Sequence, residues 1–441
     1  MSKPKEYSWM TKNKLMTYTF VALVMLAAVS AISWWSTSII VSIVAVVVAV
    51  TLDYLLSLVM KNRGSLNTLS AAVFGLIVAL SYSLGIPAMH SIEALPLQAS
   101  DAYLYVGVIS AVGMVLFKKL QGLSGRKYVN PAATAKLVVM LPFFNTLLLA
   151  KDHLTSGIGL PALAGPIGYT IIGENGLQSF ATYMISCFGN PSVPVPATIT
   201  SSDVFWVLMV QKFHGWIGGA SSLAVIIVGI GLFAACRRYI KWRITTSYLV
   251  TVALLAFILS FVYGDADPLL RVVFHIFVGS SIFLAFFMAT DPATTPLTYR
   301  GQLIFGIGLG VLTVLIQTYM NFFGGSILAL IIMNLTSPLL DKVGLPKPTE
   351  AKRELKLPKT QQFETVKTTS CIRCGACIYV CPHNLSPILI KEAFDKGNMD
   401  ALRKLQADLC DGCGHCSFVC PARIDLKGSS LRAKASLRTA K

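Results

Sequence analysis

The sequence predicts an all-α polytopic membrane protein that carries a small, mainly helical, cysteine-rich domain near its C-terminal end. Three observations lead there. Only 13% of the 441 residues are charged and 54% are hydrophobic, whereas a soluble domain carries about 25% charge. The apolar runs fall within 15–340, while 341–441 is polar and rich in Lys and Arg, a shift that marks two domains. Of ten cysteines, eight stand in two copies of one spacing, CIRCGACIYVCP and CDGCGHCSFVCP.

A bilayer core of about 30 Å takes roughly 20 apolar residues per helix. About ten transmembrane helices follow, near 15–34, 37–60, 67–86, 101–117, 134–150, 219–238, 245–263, 269–289, 303–320 and 324–340. Lys3, Lys5, Lys12 and Lys14 precede the first, as in a signal peptide. With no A-x-A-like site and a second apolar run at once, it reads as an uncleaved helix. A Pro-, Ser- and Thr-rich segment, 151–218, separates two five-helix halves; its length suggests a lid or binding element. Halves of five helices are inverted relative to each other, a frequent transporter arrangement. The expected organisation is 1–14 N-terminus, 15–340 membrane domain, 341–367 linker, 368–425 cysteine-rich domain and 426–441 basic tail.

The net charge of +17 does not read as nucleic-acid binding, because the basic residues sit in short segments between apolar runs. Lys61 and Arg63, then Lys118, Lys119, Arg126 and Lys127, then Arg237, Arg238, Lys241 and Arg243, and finally Arg300 follow alternate helices, while 87–100 has no Lys or Arg. The positive-inside rule then places both termini in the cytoplasm. The basic tail, KGSSLRAKASLRTAK, reads as a solvated or lipid-facing segment; docking of an acidic electron carrier is the sharper alternative.

Paired C-x2-C-x2-C-x3-C-P runs are metal spacing, not a disulfide framework, and such thiols belong in a reducing compartment. In bacterial ferredoxins the fourth cysteine of each run ligates the other run's cluster. One [4Fe–4S] cluster is thus assigned to Cys371, Cys374, Cys377 and Cys420, and the second to Cys410, Cys413, Cys416 and Cys381. Zinc is the alternative, but it has no need of the third and fourth cysteines of each run, nor of the Pro. Cys187 and Cys236 stand alone. Between the runs, apolar spacing predicts helices over 387–394 and 399–409. His383 and His415, beside ligands, read as solvent-exposed polar residues, with tuning of cluster potential as the alternative. Charged groups within membrane helices are costly, so Asp53 and Asp291 are candidates for an ion pathway; His275 reads as a satisfied polar contact.

Beyond the cysteines, FKKLQGLSGRKYVNPA (117–132), RRYIKWRITTSYL (237–249) and FHIFVGSSIFLAFFMATDPATTPLTYRGQLIFG (274–306) resemble the D subunit of Rnf complexes and the B subunit of the sodium-pumping NADH:quinone oxidoreductase. Those subunits lack a dicluster ferredoxin domain, so the chain resembles a fusion with a module like that of the Rnf C subunit. The resemblance implies a subunit of an ion-translocating oxidoreductase (Na⁺ or H⁺) in a bacterial or archaeal plasma membrane, with other Rnf- or Nqr-like subunits as partners. It also implies a cytoplasmic carrier (ferredoxin, flavodoxin or an NADH-linked subunit). Implied cofactors are FMN, held through its phosphate by a Thr of an S/T-G-A-T motif, and noncovalent riboflavin. PATIT (196–200) makes Thr198 the FMN candidate, although Val195 and Pro196 replace the first two motif positions. Gly122 and Gly125 correspond to glycines near the quinone site of the quinone-reducing relatives. A non-pumping electron conduit and a transporter with a redox-sensing domain are the rival readings.

Overall fold

A computed structural model describes residues 8, 10–59, 67–84, 99–123, 127–140, 201–210, 212, 215–263, 268–278, 281–319, 324–345, 348 and 368–439. Its membrane part comprises α1 (Lys12–Val59), α2 (Thr68–Leu80), α3 (Ala99–Val112), α4 (Pro131–Met140), α5 (Ser201–Met209), α6 (Ser222–Cys236), α7 (Trp242–Tyr263), α8 (Pro268–Phe277), α9 (Tyr299–Tyr319) and α10 (Gly325–Leu340). Among the described residues, five helical stretches are long and apolar enough to cross a membrane, or six if α8 and Ser281–Met288 form one bent span. The chain is therefore a multi-pass membrane protein. α2, α4, α6 and α10 are apolar but shorter among the described residues; each falls on one of the ten expected spans, whose number the described residues do not establish.

α1 covers both of the helices expected near 15–34 and 37–60. At about 1.5 Å per residue a straight helix of 48 residues would far exceed a bilayer. Instead its two apolar stretches, Lys12–Ile32 and Thr37–Val59, fold back on each other. Lys12 senses Lys127; Asp53, near the other end, pairs with Lys119, in the same group of charges. At the opposite end Ser30 Oγ donates to Ile217 O at 2.6 Å. There a short antiparallel bridge pairs Ser83 with Trp216 and Leu84 with Gly215.

α7 shows how sequence selects its faces. Tyr248, Val252, Ala256 and Ser260 recur every four residues and are buried, while Val250, Leu254, Phe257 and Phe261 are exposed. Large apolar side chains thus face lipid and smaller or polar ones face protein. Small residues admit the neighbouring helix: a Cβ on Gly306 of α9 would meet Ser247 Oγ at 1.8 Å and Ile244 O at 2.7 Å. The expected helix over 269–289 is broken, its two halves differing in direction by 62°, with Gly279 and Ser280 between them in sequence. α3 continues as a π-helix, Gly113–Leu120, and a second π-helix spans Leu284–Met288. Such segments are rare and frequent at functional sites; both reach the cavity described below.

The C-terminal domain contains α11 (Pro387–Asp395), α12 (Met399–Lys404) and α13 (Leu426–Thr439). The helix expected over 399–409 ends early because Gln406 takes φ 49°, a left-handed conformation that breaks the ladder. The basic tail is not a solvated segment: it is α13, with Leu426, Ala433 and Leu437 buried on the domain. The segment before α1 also joins this domain, Ser8 N donating to Phe418 O at 2.9 Å and Lys12 N to Pro421 O at 2.8 Å.

Candidate functional site

The two cysteine runs fold alike. Gly375 and Gly414 sit at φ 77° and 86°, a region glycine enters without Cβ strain. Each begins a single helical turn, Ala376–Tyr379 and His415–Phe418. Positive φ recurs at Arg373 and Gly412, and again at Asn384 and Arg423. A helix then starts at Pro387 in one copy and Leu426 in the other. All these pairs share the separation of Cys371 from Cys410, so the internal repeat includes α11 and α13. Matching "CP" positions followed six residues later by a helix start were the sequence signal for α13.

Two recesses gather the thiols. One, about 360 Å³, is lined by Cys371, Cys374, Cys377 and Cys420. The other, about 350 Å³, is lined by Cys381, Cys410, Cys413 and Cys416, with His383, Asp411 and Lys427. Each set draws one cysteine from the other run, the grouping expected from the spacing. Among the described residues no three His, Cys, Asp or Glu groups lie close enough to share one metal ion. A single tetrahedral zinc, with Zn–S near 2.3 Å, needs that closeness; a four-iron cube binds its thiolates at separated corners. Burial pushes Cys374 and Cys416 up to about 12 and Cys413 up to about 11, neighbouring thiols adding to the effect. Ionising four such thiols takes a cationic core among them, so these donors suit iron–sulfur clusters.

The sets differ in surroundings. Cys374 packs, with Ile372, Ala376 and Val419, on the main hydrophobic core of the membrane domain; Cys377 and Cys420, together with Cys416 of the other set, share a cluster with Leu297. Arg373, 5% exposed, donates to Asp341 Oδ2 at 2.8 Å and pairs with Glu392. Asp341, the C-cap of α10, also accepts from Leu297 N at 2.8 Å. Tyr379 stacks on Tyr299 with centroids 3.5 Å apart and donates to Leu297 O at 2.8 Å; Arg243 covers Tyr299 at 3.7 Å. Lys241 donates to Pro292 O, Thr295 O and Thr295 Oγ1 at 2.8–3.0 Å; burial holds its ammonium down to about 7. In contrast, Cys381 and Cys410 pack on a cluster made only of C-terminal-domain residues.

Beside the first set lies a cavity enclosing about 870 Å³ of space, open solvent included. It is lined by Phe74, Phe286 and Phe287, with Lys118, Lys127, Asn130 and Asp291 as polar groups. Tyr239 lines it too, and its hydroxyl lies 3.4 Å from Val419 O, the residue before Cys420. Aromatic walls with a few convergent polar groups suit a planar redox cofactor.

The remaining candidates are placed as follows. Asp291 lines the cavity, but its carboxylate also caps the turn that follows, accepting from Ala293 N at 3.2 Å and Thr294 Oγ1 at 3.3 Å. Asp53, 2% exposed, pairs with Lys119 and accepts from Asn67 N at 3.1 Å. It ties the end of α1 to the start of α2. Gly122 does not line the cavity, and nothing lies within 4 Å of a Cβ added to it. Thr198, Gly125 and Cys187 lie outside the described residues. His275 Nδ1 meets Gln317 Oε1 at 2.8 Å, while its Nε2 has no hydrogen-bond partner among the described residues. His383 is not solvent-exposed: it is buried, with Nε2 at 3.1 Å from Asp411, in the wall of the second recess. Tyr239, Arg373 and Asp341 escaped sequence reasoning, since no local pattern marks them.

Comparison with known proteins agrees with this division. Residues 2–350 match the NQR2, RnfD, RnfE family, and 370–424 match a 4Fe-4S dicluster domain. The chain is 27% identical over 305 residues to the D subunit of the Na(+)-translocating ferredoxin:NAD(+) oxidoreductase complex of Acetobacterium woodii, covering 68% of this chain and 78% of that protein. It is 25% identical over 336 residues to the D subunit of the proton-translocating ferredoxin:NAD(+) oxidoreductase complex of Clostridium ljungdahlii, covering 76% and 90%. To the B subunit of the Na(+)-translocating NADH-quinone reductase of Stutzerimonas stutzeri it is 29% identical over 233 residues, 52% of each chain.

Proposed function

The chain belongs to the NQR2, RnfD, RnfE family, and from that premise we propose that it is the membrane subunit of an Rnf-like complex. In this reading the complex couples electron transfer to outward movement of Na⁺ or H⁺. The observation that carries it is the packing of Cys374, of the first set, on the membrane core, with Cys420 of the same set one residue from the Val419 contact of Tyr239, which lines the cavity. Clusters at the two sets store and pass single electrons. The chain's own residues do the rest: Arg373, Asp341, Tyr379 and Tyr299 hold the domain in place, and Tyr239 bridges it to the cavity. Phe286, Phe287 and Phe74 offer faces to an isoalloxazine ring, with Lys118, Lys127 and Asn130 as donors.

Both termini and the clusters lie in the cytoplasm in this reading, supported by the loop charges. Other membrane subunits complete the complex, and a soluble carrier exchanges electrons with it. The energies match. Moving one charge against about 150 mV costs about 3.5 kcal/mol, which a two-electron drop of about 75 mV supplies. Asp291, on the cavity wall, and Asp53 are the ion-pathway proposals.

Proteoliposomes of the assembled complex, driven by a reduced carrier, are expected to accumulate Na⁺ or H⁺ in an ionophore-sensitive way. Electron transfer without ion uptake would favour the second reading, a non-pumping conduit feeding a dedicated reductase, which the departures at Val195 and Pro196 support. Covalent FMN is assigned to Thr198. The tryptic peptide containing it is expected to carry the FMN mass, and an unmodified peptide from protein co-expressed with a flavin transferase sinks that assignment.

A further inference from the structure

We infer that the face built by α13 and the Cys410–Cys416 loop docks a small acidic electron-carrier protein of the ferredoxin or flavodoxin class. The set formed by Cys381, Cys410, Cys413 and Cys416 is then the port through which electrons enter or leave the domain. This rests on the reading of the domain as two iron–sulfur sites and adds which of them faces the soluble partner, and through which residues.

The two sets are not equivalent. The first is turned to the membrane domain through Cys374 on the membrane core, the Arg373–Asp341 pair and the Tyr379–Tyr299 stack. Each recess is lined by C-terminal-domain residues and each set has one exposed cysteine, Cys371 and Cys413, but Cys381 and Cys410 of the second set pack only on C-terminal-domain residues. Along the edge of the second recess runs one face of α13. Lys427, Leu431, Lys434 and Arg438 follow one another at spacings of four, three and four residues, which a helix places on one side. Contacts fix that side against the loop. Lys427 Cδ lies 3.6 Å from a Cβ position on Gly414, and Leu431 Cδ1 lies 3.3 Å from one on Gly412. Lys434 Nζ donates to Cys410 O at 2.7 Å. Leu431 is 38% exposed, and Lys427 and Arg438 are exposed. α13 contains no Asp or Glu. Two acids border the face: Asp411 is engaged by His383 and by the Cys413 N–H at 3.0 Å, and Asp425 accepts from the Gly428 N–H at 3.0 Å.

The result is an apolar centre beside an exposed ligand cysteine, rimmed by cations. That is the anatomy of a small electron-transfer interface, and its charge selects an acidic partner and speeds encounter. Anionic lipid is the other class attracted to a basic helix, but a lipid surface accepts no electron and gains nothing from an exposed ligand at the centre of its contact. In the forward direction one electron leaves the reduced carrier, oxidising it by one equivalent. The cluster at the outer set is reduced by one, with no bond formed and no proton moved.

The test uses the full chain in nanodiscs, loaded anaerobically with iron and sulfide, and a purified bacterial ferredoxin of strongly negative charge. Lys427→Glu/Arg438→Glu is expected to raise the Kd for this ferredoxin at least about ten-fold at low ionic strength, with the difference fading as salt screens it. The second-order rate of electron transfer falls in parallel. Arg432→Glu reverses one charge on another face of the helix and is expected to shift Kd less than about three-fold, below the shift of Lys427→Glu alone. Leu431→Ser slows transfer with little change in salt dependence. The dithionite-reduced EPR spectrum stays that of two clusters in every variant. Intact spectra with unchanged Kd and rate overturn the inference alone. So does loss of affinity for phosphatidylglycerol vesicles while ferredoxin binding persists. A wild-type chain that takes up no iron–sulfur signal overturns the functional reading and this inference together.

Discussion

Cys381→Ser is expected to abolish the cluster assigned to the distant Cys410, Cys413 and Cys416, and to spare the one assigned to its own run. Iron content should fall from about eight to about four atoms per chain, with one of two reduced EPR signals lost. The reasoning is geometric. Cys381 lies in the recess with Cys410, Cys413 and Cys416, while Cys371, Cys374 and Cys377 share theirs with Cys420. Cys420→Ser should give the mirror result. The surviving signal then identifies each cluster: with Cys381→Ser it belongs to the set packed on the membrane core, and it should still exchange electrons with the membrane cofactor. If Cys381→Ser instead removed the signal that Cys371→Ser removes, the interleaved assignment would be wrong.

Asp341→Ala is expected to undock the C-terminal domain from the membrane domain. The carboxylate satisfies two groups at once, the Arg373 guanidinium and the Leu297 N–H, each at 2.8 Å. Both partners of the ion pair are 5% exposed. Removing one member of a buried pair strands the other charge and costs about 3–5 kcal/mol. The lower end applies here, because Glu392 still faces Arg373. Amide exchange around Leu297 and the 371–377 loop should accelerate by about a hundred-fold or more, as about 1.4 kcal/mol corresponds to a factor of ten. Asp341→Ala/Arg373→Met should recover part of the loss, since no charge is then left buried. Exchange that stays at the wild-type level in the single variant would remove Asp341 from the docking contact.

What the sequence revealed and what it hid divide along physical lines. The span of α7 was legible because a lipid core demands a run of apolar residues there, a local rule. The cysteine sets were legible because ligation of a small cube constrains spacing within a dozen residues. Docking was hidden because it rests on single residues far apart: Asp341 with Leu297, Tyr299 with Tyr379, Ser8 with Phe418. None of them stands in a pattern. The break in the helix over 269–289 and the two π-helices were hidden because a hydropathy run reports burial in lipid and not backbone course. α13 was misread from its composition. Its charges lie on an exposed stripe, while Leu426, Ala433 and Leu437 anchor the opposite side. Reading the repeat through to its following helix would have corrected this.

The hydrogen bonds from Ser8 and Lys12 to Phe418 and Pro421 also bear on biogenesis. These partners leave the ribosome about 410 residues apart, which at about 5–20 residues per second is roughly 20–80 s. The first hairpin therefore enters the membrane with its leading segment unsatisfied by its final partner. Met10, 2% exposed in the finished protein, stays uncovered or chaperoned for that interval. The late domain, once it acquires its metal, closes over the earliest part of the chain. Completion of translation and cofactor loading thus become conditions for this end of the membrane domain to reach its mature surface.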